Sequence, residues 1–150
     1  MSAHKDFVKP NEAYVASFGD KGNLPLPPSK KLLIVTCMDA RINVYAELGI
    51  REGEAHIVRN AGGVAKEALR SIIISQRLLG TREIAVFHHT GCGMLTFDTA
   101  GLREQAVDEF EFLDVESDVK FLQEHPLVLP ETKVTGWVYE VETGKIRQIV

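Results

Sequence analysis

The stretch Leu32-Leu33-Ile34-Val35-Thr36-Cys37-Met38-Asp39-Ala40-Arg41 runs an unbroken apolar segment into a cysteine, an aspartate and an arginine. Apolar runs without alternation mark strands covered on both faces, as in a parallel sheet. Two more runs of this kind follow, Ala55-His56-Ile57-Val58 and Ile84-Ala85-Val86-Phe87. Between them lies Ala65 to Leu79, with apolar residues at helical spacing and Gly80 as the stop. Strand, helix and strand make a βαβ unit with a right-handed connection.

Working outward, the tail Val134 to Val141 alternates like a half-exposed strand, and Glu142-Thr143-Gly144-Lys145 is a hairpin turn into Ile146 to Val150. The spacing predicts helices over Gly101 to Phe112 and Val115 to Glu124. The fold class expected is α/β: a small, mostly parallel sheet flanked by helices, with an antiparallel edge strand or hairpin at the C-terminus. Residues 1–150 read as one domain. Residues 4–18 form an N-terminal helical arm, with Pro10 starting or interrupting the helix and Phe7, Tyr14, Val15 and Phe18 as its apolar contacts. Residues 22–30 form a Pro-rich connector that is neither helix nor central strand.

Composition narrows the class. Of 150 residues, 45% are hydrophobic and 25% charged, which is ordinary for a globular chain. A net charge of -4 argues against nucleic acid or an anionic membrane as the main partner. There is neither a membrane-length apolar run nor an apolar leader, so a cytoplasmic location is expected. In that compartment the two cysteines, Cys37 and Cys92, are thiols or metal ligands in preference to a disulfide.

Cys37 follows the first strand, and His89-Thr90-Gly91-Cys92 follows the third. Ligand groups of open α/β sheets gather at these carboxyl ends. Two thiolates and an imidazole suit zinc with one coordination position open, which is the mark of a catalytic site. His89 and Cys92 can converge from one tight turn, and Cys37 joins them if the first and third strands are neighbours. Inert core cysteines, or a Cys37–Cys92 disulfide in a redox protein, are the alternatives. Asp39 is close enough to Cys37 to reach the open position, and Arg41 can hold its carboxylate bidentately. Other motifs fail on spacing: Cys37 to Arg41 is too short for a phosphatase loop, no CxxC is present, and the glycine turns complete no nucleotide fingerprint. His56 reads as a satisfied core residue, His88 as facing away from His89, and His4 and His125 as peripheral.

Cys37-Met38-Asp39-Ala40-Arg41, His89-Thr90-Gly91-Cys92 and Val58-Arg59-Asn60-Ala61-Gly62-Gly63 together resemble the β-class carbonic anhydrases, a likeness covering roughly residues 30 to 95. The resemblance implies one Zn2+ per subunit held by Cys37, His89 and Cys92, with a catalytic dyad of Asp39 and Arg41. It implies reversible hydration of carbon dioxide to bicarbonate and a proton by zinc-hydroxide attack. The alternative is hydrolysis of carbonyl sulfide or carbon disulfide at the same site, releasing hydrogen sulfide; a non-catalytic zinc protein is a third reading. Gly62, Gly63 and Gly93 are the expected substrate pocket, where glycine backbone lets a small molecule approach. Met94 stands where many relatives carry a small residue. Self-association as a dimer or tetramer is also implied, with the N-terminal arm reaching over its partner. Apolar residues in that arm and an aromatic edge strand at Trp137 and Tyr139 suit burial against a second copy.

Overall fold

The structure is a computed structural model that describes residues 7–96 and 114–150. Five strands form one sheet: β1 Leu32–Cys37, β2 Ala55–Asn60, β3 Glu83–His89, β4 Lys133–Tyr139 and β5 Ile146–Gln148. Their order is β2-β1-β3-β4-β5. The first three pairings are parallel and β4–β5 is antiparallel, so the C-terminal hairpin closes one edge. The helices are α1 Val8–Ala16, α2 Val44–Leu48, α3 Ala65–Leu79 and α4 Val115–Glu124. Residues 101–112, expected to be helical, lie outside the described residues.

Strand residues alternate between two cores. Leu33, Val35, Ile84 and Val86 pack under α3 and α4 with Ala68, Ile72, Val119 and Leu122. Ile34, Ala85 and Phe87 face the other way and join Cys37, Ile42, Cys92 and Tyr139. The two cysteines are therefore part of the second core.

Local chemistry explains the helix bounds. Gly80 caps α3 in the left-handed conformation at φ 75°, which costs a glycine little. Val64, at the other end, offers α3 no side-chain cap. The fully buried carboxylate of Asp118, on α4, substitutes by accepting from the Ala65 amide at 3.1 Å. Its second oxygen lies 2.9 Å from His88 Nε2. His88 thus sits on the helix-covered face and has a structural partner, as its strand position implies. His56 is likewise satisfied, with Nδ1 2.7 Å from Ser75 Oγ.

Three expectations shift. Cys37 and His89 are the last residues of β1 and β3, inside the strands. The helix of the arm spans Val8–Ala16 and buries none of its residues within its own chain; Pro10 sits in its first turn, where a missing N–H costs nothing. The aromatic residues expected at the sheet edge lie one strand further in: Tyr139 is buried and Trp137 stacks on Phe87 at 5.7 Å, while β5 forms the edge.

Candidate metal centre

Parallel pairing of β1 with β3 brings their carboxyl ends together, and the turn after β3 folds Cys92 back toward them. Gly91 makes that turn at φ 57°. Thr90 fastens it: its amide donates to the Tyr139 carbonyl at 2.9 Å, its hydroxyl donates to Glu142 at 2.7 Å, and the Val141 amide donates to that hydroxyl at 3.1 Å. The segment joining β4 to β5 therefore supports the turn that carries Cys92, a link for which the sequence carries no local signal.

One ligand atom each from Cys37, His89 and Cys92 lies within 4.8 Å of the others. The two sulfurs are 4.0 Å apart. Thiolates on one tetrahedral zinc, at about 2.3 Å each, stand about 3.8 Å from one another. His89 Nδ1 lies 2.9 Å from the Thr90 carbonyl, which can only accept, so Nδ1 carries the proton and Nε2 offers a lone pair. That Nε2 is buried and has no hydrogen-bond partner among the described residues. An orphaned buried acceptor beside two buried thiols fits a metal ion. Burial, and after it the neighbouring Cys37, pushes the Cys92 thiol above its ordinary pKa.

Asp39 stands at the mouth of this cluster. Its Oδ1 accepts from the Arg41 amide and Nε, both at 2.9 Å, and its Oδ2 accepts from Arg41 Nη2 at 2.7 Å. These bonds, the side-chain ones first, hold the carboxyl well below the usual carboxylate range. Oδ2 keeps one free acceptor position, and this is the oxygen 3.9 Å from His89 Nε2. Arg41 is half exposed, so the pair adds little to stability. Its effect is orientation, because Nη2 also donates to the Gly91 carbonyl at 2.9 Å across the site.

Among the described residues, Gly62, His88, His89, Cys92 and Met94 border a cavity of about 410 Å³. Gly63 has a different role: a Cβ there would stand 2.8 Å from the Phe87 carbonyl and 2.9 Å from the Cys37 amide. It lets the turn after β2 pack on the ends of β1 and β3, where Cys37 and His89 stand. A Cβ on Gly93 would meet nothing within 4 Å among the described residues. A larger cavity of about 850 Å³ is bordered by Tyr14, Lys21, Leu24, Arg51 and Glu52, and neither cysteine lines it.

A mostly parallel sheet with Cys-His-Cys at its strand ends and an arginine-held carboxylate beside them defines an α/β protein with a group that could hold a metal ion where open sheets place their ligands. A family model described as carbonic anhydrase matches residues 32–111. "Beta-carbonic anhydrase 1" of Mycobacterium tuberculosis (strain ATCC 25618 / H37Rv) is 45% identical over 165 residues, covering 99% of each chain. A carbonic anhydrase from Glaciozyma antarctica, 50% identical, superposes with a TM-score of 0.94 over 100% of both chains. A carbon disulfide hydrolase of Acidianus sp. (strain A1-3) is 34% identical over 82% of this chain and 79% of its own. The chain belongs to the β-carbonic anhydrase family.

Proposed function

We propose that the protein catalyses reversible hydration of carbon dioxide to bicarbonate and a proton, with one zinc ion per chain held by Cys37, His89 and Cys92. The observation that carries this reading is the buried, unpartnered His89 Nε2 facing two sulfurs 4.0 Å apart. Likeness to carbonic anhydrases over the full chain supports the substrate, whereas the carbon disulfide hydrolase aligns over a smaller share. Zinc in that position supplies a Lewis acid that makes water nucleophilic near neutral pH.

The remaining work falls to the protein. Asp39, kept ionised by Arg41, offers its free Oδ2 acceptor position to the attacking water and so fixes which lone pair points at carbon. Arg41 ties Asp39 to the Gly91 carbonyl, so the carboxylate and the ligand turn move as one unit. Gly62 and Met94 border the space in which an apolar, linear substrate meets that water. Carbon dioxide carries no hydrogen-bond donor and needs little more than such an apolar recess.

Self-association belongs to the same reading. Phe7, Val8, Tyr14 and Val15 are all exposed, and no residue of the helix Val8–Ala16 is fully buried within its own chain; a second copy covers this face. Two buried free cysteines suit a reducing, cytoplasmic setting. Among the described residues no helix is long and apolar enough to cross a membrane.

Paired initial rates on the zinc-loaded protein test the substrate. Fast carbon dioxide hydration with little hydrogen sulfide released from carbonyl sulfide or carbon disulfide is expected. Strong sulfide release with feeble hydration would assign the protein to the hydrolase reading.

A further inference from the structure

The loop carrying Cys37, Asp39 and Arg41 is gripped by a residue outside it. Arg59, on β2, donates from Nε to the Cys37 carbonyl at 3.0 Å, from Nη2 to the Asp39 carbonyl at 2.7 Å and from Nη1 to the Ile42 carbonyl at 3.2 Å. Those three carbonyls belong to the first sulfur ligand, to the carboxylate-bearing residue, and to the residue where the chain re-enters the core. We propose that Arg59 is a positioning residue for the Asp39 carboxylate, acting through the loop backbone and touching neither the metal position nor the substrate. This rests on the role given to Asp39 above.

Side-chain packing does little to hold the loop. Met38 is exposed, and Ile42 is its buried anchor. Other restraints are the Met38 amide on the Asn60 carbonyl at 2.8 Å and the Ile42 amide on the Asp39 carbonyl at 3.1 Å. The Asp39 carbonyl therefore accepts twice, from Ile42 and from Arg59, which uses both its lone pairs. Asp39 is held at its two ends by two guanidinium groups: Arg41 grips the carboxylate, Arg59 the carbonyl. Arg41 lies on the same loop and reaches outside it only to the Gly91 carbonyl of the turn after β3, whereas Arg59 is anchored in a strand and bonds three carbonyls of the loop. A planar fork can span three carbonyls at once; the compact ammonium of lysine cannot. Small displacements of a group that orients the attacking water are costly to rate.

A double-mutant cycle on the zinc-loaded protein tests this: wild type, Arg59→Ala, Asp39→Ala and both together, each measured for kcat and KM of carbon dioxide hydration. The visible spectrum of the cobalt(II)-substituted proteins is a second readout, independent of turnover. Arg59→Ala is expected to lower kcat about tenfold with KM nearly unchanged, and to alter the cobalt spectrum. In the Asp39→Ala background it is expected to change neither, because the two residues act as one unit. Arg59→Lys should not restore kcat, and with Arg59→Gln it carries the same cycle if Arg59→Ala fails to fold. Additive losses, an unaltered cobalt spectrum, or a kcat loss that merely follows lost metal content would overturn the proposal. If the wild type hydrates no carbon dioxide, the functional reading fails while the cobalt spectra still decide the role of Arg59.

Discussion

Asp39 Oδ2 and His89 Nε2 face each other at 3.9 Å, and both are acceptors: the imidazole proton is committed to the Thr90 carbonyl, and the carboxylate is held ionised by Arg41. Two acceptors at that distance repel unless a cation or a bonded water lies near them. The arrangement is a site shaped for a positive charge, with the cysteines as its other wall.

Metal binding should therefore stabilise the fold. With free zinc at 100 times its dissociation constant, unfolding free energy is expected to rise by about 2.7 kcal/mol. Denaturant titration with and without zinc measures this. His89→Ala, Cys37→Ala and Cys92→Ala should each abolish the increment and bring bound zinc well below one per chain; an unchanged increment in His89→Ala would remove that residue from the ligand set.

The Asp39–Arg41 pair should matter for rate and little for metal content. Asp39→Asn and Arg41→Ala are expected to lower kcat/KM by about 10–100-fold while zinc stays at one per chain. Stopped-flow rates with metal analysis on the same samples check it. Equal loss of zinc and rate would make the pair a ligand-holding device only.

The glycines near the site should behave unequally. Gly63 has φ +75° and backbone within 3 Å of its would-be Cβ, so Gly63→Ala is expected to cost at least about 1–3 kcal/mol and to weaken zinc binding through the Cys37 amide. Gly93→Ala, with open space around it, should stay within about 0.5 kcal/mol. Similar stabilities for the two variants would contradict the packing described here.

Asp114 caps α4 by accepting from the Ser117 amide at 2.8 Å, and Asp114→Ala should cost about 1 kcal/mol near neutral pH. That bond lowers the folded-state pKa of Asp114 below its unfolded value. The stabilisation is therefore fully present above the unfolded pKa and disappears as pH falls through the folded one. The difference in Tm between wild type and variant should shrink between pH 7 and pH 3.

Much of this was legible in the sequence because burial on both faces leaves a direct mark. The runs at Leu32, Ala55 and Ile84 became β1, β2 and β3, and the helix from Ala65 to Leu79 ended at Gly80 as its αL cap requires. That Cys37, His89 and Cys92 converge was expected from softness and spacing, and one ligand atom of each lies within 4.8 Å of the others; the bidentate Arg41 grip was expected from its two-residue separation. Long-range backbone contacts left no such mark. Arg59 grips carbonyls, which every residue has, so nothing in the sequence says which ones. Thr90 and Glu142 meet only because β4 lies beside β3. The short helix Val44–Leu48 depends on an Asn43 cap and a Gly49 stop, too few residues for periodicity to reveal.

The most direct test is zinc titration into metal-free protein while carbon dioxide hydration is followed by stopped flow, with Cys92→Ala in parallel. Hydration that rises linearly, saturates at one zinc per chain and stays near zero in the variant is the predicted result. Full hydration without zinc, saturation at another ratio, or a zinc-loaded protein that leaves carbon dioxide untouched would contradict it.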